Sequence, residues 1–171
     1  MNKLKRYTII GIIFVLITGT ISHFVYEWSG NNVLVGFCFP INESVWEHMK
    51  LVFFPMLLYS FYMISKLDSD YPSIASTAMF GVLLGTLLIP IIFYTYSGIL
   101  GYTTEFFDIG TFVVSVLLSF WFIYKLAASR KLAPYEAAFK TLVLVMAMSF
   151  FLFTYQPPDV GIFADNSHSA R

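Results

Sequence analysis

Val45-Trp46-Glu47-His48-Met49-Lys50 leads straight into the apolar run Leu51–Ile64. Whether these two pieces together cross a bilayer decides the fold. The apolar run alone is shorter than the ~20 residues that a hydrocarbon core requires. Joined to residues 45–50 it is long enough, with its polar side chains at headgroup level. The neighbouring stretches are less equivocal. Tyr7–Trp28, Ile74–Tyr96, Asp108–Leu126 and Tyr135–Tyr155 are each long and apolar. Between them lie a short turn with Lys66, Asp68, Asp70 and Pro72, a loop over Ser97–Phe107, and Ala127–Pro134 with Arg130 and Lys131.

Composition agrees with a membrane class. The chain is 58% hydrophobic and 12% charged over 171 residues, whereas soluble domains are about a quarter charged. Its length suits one helical domain over 1–171, with the lipid bilayer as its surroundings. A basic start followed by an apolar run also describes a signal peptide, but this run is too long and lacks a clear small-x-small cleavage site. It reads as an uncleaved first span. A net charge of +0, with no basic patch, gives no reason to expect a nucleic-acid partner. The single cysteine, Cys38, lies between Phe37 and Phe39. It excludes an intramolecular disulfide and reads as an apolar thiol.

The basic residues test the number of crossings. With spans at about 7–28, 45–65, 74–96, 108–126 and 135–155 and a cytoplasmic N-terminus, Lys3, Lys5, Arg6, Lys66, Lys125, Arg130, Lys131 and Lys140 lie inside. Only Lys50 and Arg171 lie outside, a ratio of eight to two. If residues 45–64 dipped in without crossing, the split would become four to six. The positive-inside rule therefore favours an all-α bundle of five transmembrane helices, with the C-terminus extracytoplasmic. In that arrangement Glu27, Glu43, Glu47, Glu105, Asp108, Asp159 and Asp165 gather outside with His23, His48 and His168. Acidic residues do not set topology, so their clustering is a separate observation.

Four constellations carry candidate chemistry. Ser44-Val-Trp-Glu47 matches a capping box, in which serine caps a helix and glutamate reaches back to the cap's N–H. Trp46 then suits an interfacial belt, and Glu47 and Lys50 are spaced to pair. His23 and Glu27 are four apart on the first span, a polar wedge of the kind that usually faces a bundle interior or water. Glu105 and Asp108 open the fourth span above a stripe of Thr111, Ser115 and Ser119, whose hydroxyls suit contacts with neighbouring helices. Finally, Pro157-Pro158 ends the fifth span. Ile162 and Phe163 are placed to fold back and bring Asp159 or Asp165 to the outer mouth. Two features are architectural: Gly81 and Gly85 form a small-residue face, and Pro55 and Pro90 leave the carbonyls of Leu51 and Thr86 without their helical N–H partners.

The candidate ligand-binding residues are thus His23, Glu27, Asn42, Glu43, Glu47, His48, Glu105 and Asp108. Bundles build metal sites from carboxylates and histidines that project inward at such spacings. An N/O ligand set suits a divalent zinc, manganese or iron ion better than a soft metal. The metal set expected from spacing is His23, Glu27, Glu47 and His48. The leading expectation is an outward-facing polar cavity for a cation or a proton-coupled solute. One alternative is a metal-dependent hydrolase at the outer leaflet, although no His-Glu-x-x-His motif is present. Another is a non-catalytic interaction or immunity-type protein. A Ser44–His48 nucleophile pair is disfavoured, because a serine used as a cap is poorly placed for attack. Five spans cannot form two equal repeats, so a homo-oligomer would be needed to restore symmetry.

His23-Phe-Val-Tyr-Glu27-Trp-Ser29, Pro40-Ile-Asn-Glu43-Ser-Val-Trp-Glu47-His-Met-Lys50 and Pro157-Pro158 … Phe163-Ala-Asp165 together resemble an uncharacterised family of small bacterial multi-span membrane proteins. The resemblance implies a bacterial cytoplasmic membrane and transfers no activity.

Overall fold

The computed structural model describes residues 2–165. Five helices in it are long and apolar enough to cross a membrane, and no strand occurs among the described residues. Helix α1 is Lys3–Trp28, α2 is the single turn Val33–Gly36, α3 is Val45–Leu67, α4 is Ile74–Leu100 and α5 is Glu105–Leu126. A 3-10 turn at Ala133–Tyr135 leads into α6, Glu136–Phe153, and a second such turn occupies Gly161–Phe163.

Several helix ends differ from those expected because caps, rather than hydropathy, set them. Helix α1 begins at Lys3, not Tyr7, because Asn2 Oδ1 accepts the Leu4 N–H at 3.1 Å. Helix α4 runs on to Leu100 and stops where Gly101 takes a left-handed φ of 77°, a conformation in which glycine avoids the Cβ penalty. Helix α5 begins at Glu105, since Thr104 Oγ1 accepts the Phe107 N–H at 3.3 Å. The last long helix gives way at Phe153, short of the expected Tyr155.

Helix α1 packs on α3 and α5, and α4 packs on α3, α5 and α6. The four helices α1, α3, α4 and α5 thus close a ring, and α6 lies outside it along α4. Helices α3 and α4 are the most enclosed, with 56% of their apolar windows buried, against 11% for the last helix. Most of α6 therefore lies at the surface of the bundle. One end of the bundle is tied by Lys3 to Asp70 at 2.7 Å and by the Tyr71 hydroxyl to Asn2 Oδ1 at 2.9 Å. These contacts put the start of α1 beside the α3–α4 turn, so α1 and α3 run antiparallel. Large apolar side chains remain exposed around the bundle, including Ile13 and Ile17 on α1, Trp121 on α5, and Leu144 and Met148 on α6.

Two backbone approaches fix the ring. Pro55 lies inside α3, so the Leu51 carbonyl has no N–H at position 55 to accept from. Gly19 of α1 sits against that carbonyl: a Cβ on Gly19 would lie 2.7 Å from Leu51 O and 2.5 Å from the Phe112 ring. The ring can swing aside, but the carbonyl cannot. Gly19→Ala should therefore cost about 1–3 kcal/mol, the usual range for forced overpacking. An unchanged melting temperature in detergent would show that α1 and α3 do not approach this closely. Between α4 and α5, a Cβ on Gly85 would lie 2.5 Å from Ser119 Oγ. The stripe on α5 bonds within its own helix rather than across helices. Ser115 donates to the Thr111 carbonyl at 2.7 Å and Ser119 to the Ser115 carbonyl at 2.8 Å. The two serines contribute small size with satisfied hydroxyls, whereas the buried Thr111 hydroxyl has no hydrogen-bond partner among the described residues.

Candidate functional site

The site is built from the start of α3. Ser44 Oγ accepts the Glu47 N–H at 3.3 Å, as in a capping box. The reciprocal half of the box is missing. Asn42 Oδ1 instead accepts the Ser44 N–H at 3.0 Å, closing a turn over residues 42–44. The Glu47 carboxylate is thereby released to turn inward. Its Oε2 accepts the Ile41 N–H at 2.9 Å and Lys50 Nζ at 2.8 Å. Lys50 also donates to the Gly36 carbonyl at 2.9 Å and to Thr154 Oγ1 at 2.6 Å, and the Thr154 hydroxyl reaches the Phe150 carbonyl at 2.6 Å. The ammonium has three N–H groups and uses them all. Glu47 and Lys50 are each 1% exposed. They form a closed polar knot that ties α2, the 40–44 loop and the end of α6 to α3.

With Glu47 turned inward, the loop residue before the cap points the other way. Glu43 Oε2 lies 3.3 Å from His48 Nε2, and Glu43 Oε1 lies 3.7 Å from His23 Nε2. The two imidazoles stack at 5.5 Å between centroids. One ligand atom from each of His23, Glu43 and His48 lies within 4.8 Å of the others. His48 Nδ1 is 2.9 Å from the Ser44 carbonyl. That carbonyl can only accept, so Nδ1 carries the hydrogen and Nε2 is the atom turned to Glu43. The hydrogen bond with His48, joined by the charges of His48 and His23, outweighs partial burial and holds the Glu43 carboxyl below the usual carboxylate range. All three side chains keep access to solvent, from 29% for His48 to 48% for Glu43.

Beside this trio is a pocket of about 210 Å³, lined by His23, Tyr26, Glu27, Pro40, Ile41, Asn42, Glu43 and Asp165. Three carboxylates therefore face one small space. Asp165 arrives there because the chain after α6 folds back. Phe163 packs 4.9 Å from Trp46 and 5.7 Å from Phe153, ring to ring. Trp46 is thus a buried anchor, 9% exposed, rather than a residue of an interfacial belt.

The expected metal set is accordingly divided. His23 and His48 come together, and Glu27 lines the pocket outside the trio. Glu47 is committed to Lys50, and Glu43 stands in its place. Asn42 shapes the turn that carries Glu43. Asp108 hydrogen-bonds to the Tyr96 hydroxyl at the start of α5, and its charge reaches His48. Glu105 is exposed at the end of that helix. His168 lies outside the described residues. The Ser44–His48 contact uses the serine's carbonyl, not its hydroxyl, which leaves no nucleophile–base pair there. Burial raises the Cys38 thiol above its ordinary range, as suits an unreactive cysteine. Thr154 is the residue that spacing arguments missed. Helical arithmetic relates residue 50 to 47, but not to a residue some hundred positions away.

No curated protein and no solved structure matches the chain. A family of unknown function, DUF6512, is matched over residues 1–170, and the chain belongs to that family.

Proposed function

We propose that this protein is a multi-pass component of a bacterial cytoplasmic membrane whose outward-facing pocket binds a cation. The observation that carries the reading is the meeting of Glu27, Glu43 and Asp165 with His23 around one small pocket. Acidic residues that line a pocket where the helices end favour positive charge there. The knot under the pocket holds the loop that presents Glu43, so the site is preorganised rather than assembled by the ligand.

Orientation follows from the charges. Lys3, Lys5, Arg6, Lys66, Lys125, Arg130, Lys131 and Lys140 all belong to one end of the bundle. Lys50, at the other end, is buried in its pair and presents no charge to the surface. The end rich in lysine and arginine is the cytoplasmic one. An alkaline phosphatase fused after Phe163 should be active, and a fluorescent protein fused there after export should be dark. The opposite pattern would invert the assignment.

The function is tested by calorimetric titration of the detergent-solubilised full chain with Mg²⁺, Ca²⁺ and Zn²⁺. At least one should bind at unit stoichiometry, and Glu43→Gln should weaken it at least 10-fold while the melting temperature of the apo protein holds. Absence of binding by all three would refute the reading.

A further inference from the structure

We propose that His23 Nε2, Glu43 and His48 Nε2 form a three-ligand site for a borderline divalent transition metal of the zinc class, with the remaining coordination position next to the pocket. The inference rests on the cation-binding reading above and specifies which cation and which atoms.

The first argument is ligand chemistry. Two imidazoles and one carboxylate form an N/O set, which selects zinc-like ions over calcium or magnesium, whose sites are built from oxygen. Three protein ligands with a vacant fourth position characterise exchangeable or catalytic zinc, whereas structural zinc is closed by four. Among the described residues, no fourth histidine, cysteine or carboxylate joins this group.

The second argument is geometry. Tetrahedral zinc holds its ligands at about 2.0–2.2 Å, which sets them about 3.3–3.6 Å apart. The two Glu43 oxygens lie 3.3 Å from His48 Nε2 and 3.7 Å from His23 Nε2, and one ligand atom from each of the three side chains lies within 4.8 Å of the others. Each oxygen of Glu43 already faces one imidazole, and side-chain rotations of about an ångström among the three residues would tighten the set to that spacing.

The third argument is the state of His48. Its Nδ1–H is spent on the Ser44 carbonyl, the arrangement that fixes ligating histidines and raises their basicity. In the neutral ring, the Nε2 lone pair then confronts a carboxylate oxygen at 3.3 Å. Two acceptors are stable at that distance only with a positive species between them. A proton satisfies one such contact. A metal ion satisfies both histidines and the carboxylate at once.

The ligands come from α1, from the 40–44 loop and from α3. Binding therefore clamps the first span to the rest of the bundle. Glu27 lines the same pocket as His23 and Glu43, where its carboxylate would accept a hydrogen bond from a metal-bound water.

The test uses the full chain in detergent, stripped with EDTA and titrated with Zn²⁺ alone. One equivalent should bind. His23→Ala, His48→Ala and Glu43→Gln should each weaken binding more than about 100-fold, beyond what losing an outer hydrogen-bond partner of a ligand costs. Asp68→Asn, at an exposed acid at the opposite end of α3 from His48, should leave it unchanged. Melting temperatures of the metal-free variants establish that each is folded, and His23→Gln or His48→Gln replaces the alanine variant at its own position where that one is not. Azide added to the Co²⁺-substituted protein should alter its visible spectrum through the vacant position. Binding of Ca²⁺ or Mg²⁺ without Zn²⁺ would overturn this inference and leave the cation pocket standing. Zn²⁺ binding insensitive to His48 would also overturn it, as would a Co²⁺ spectrum unmoved by azide. No binding by any cation would remove both readings.

Discussion

Lys50→Met is expected to destabilise the bundle by about 3–5 kcal/mol, the usual result of removing one member of a buried ion pair. The ammonium supplies donors to Glu47, the Gly36 carbonyl and Thr154, and methionine supplies none. Glu47 would remain 1% exposed, with its charge uncompensated or with a proton taken up to remove it. Either outcome costs far more than the lost contact. Adding Glu47→Gln should recover most of the loss, because an amide can still accept from the Ile41 N–H and carries no charge. The comparison is made by denaturant unfolding in micelles. A double variant as unstable as Lys50→Met alone would mean that packing around the lysine stem, not the stranded carboxylate, is the cause.

Phe150→Ala should cost about 3 kcal/mol and detach the end of α6 from α3. Phe150 is fully buried and packs in tilted and edge-to-face contacts 4.8 Å from Trp46, 5.1 Å from Phe53 and 5.9 Å from Phe54, between ring centroids. In a soluble core such a truncation costs about 3–5 kcal/mol. Here the lower end applies, because lipid tails are as apolar as the residues they replace and the loss is mainly one of packing. Thr154, one turn beyond Phe150, would then be less firmly held against Lys50. Proteolysis after residue 153 should accelerate in the variant along with the fall in melting temperature. A variant with wild-type stability would show that α6 is held elsewhere, through α4.

The architecture was legible because bilayer thickness and periodicity speak directly through composition. Leu51–Ile64 needed Val45–Lys50 to reach spanning length, and α3 does start at Val45, with Ser44 as its cap. The Gly81 and Gly85 face and the Ser115 and Ser119 stripe were likewise readable as packing features. The division of labour at the α3 start was less legible. Spacing rules place residues on a shared helical face, and they put Glu27 with His23 and Glu47 with Lys50. They are silent on which of Glu43 and Glu47 turns inward, which a single Asn42 hydrogen bond in the turn before the helix decides. They are equally silent on Thr154, brought to Lys50 by the docking of α6. Trp46 suited a membrane interface by type, but the return of Phe163 buried it.

The most direct test of the central claim is zinc K-edge X-ray absorption on the full chain loaded with one equivalent of Zn²⁺. The account predicts a first shell of nitrogen and oxygen at about 2.0–2.1 Å, the distances typical of imidazole and carboxylate ligands. It also predicts outer-shell scattering from two imidazole rings, reduced to one ring in residual complex formed by His48→Gln at excess metal. A shell of light oxygen donors with no imidazole scattering, unchanged by that substitution, would contradict it.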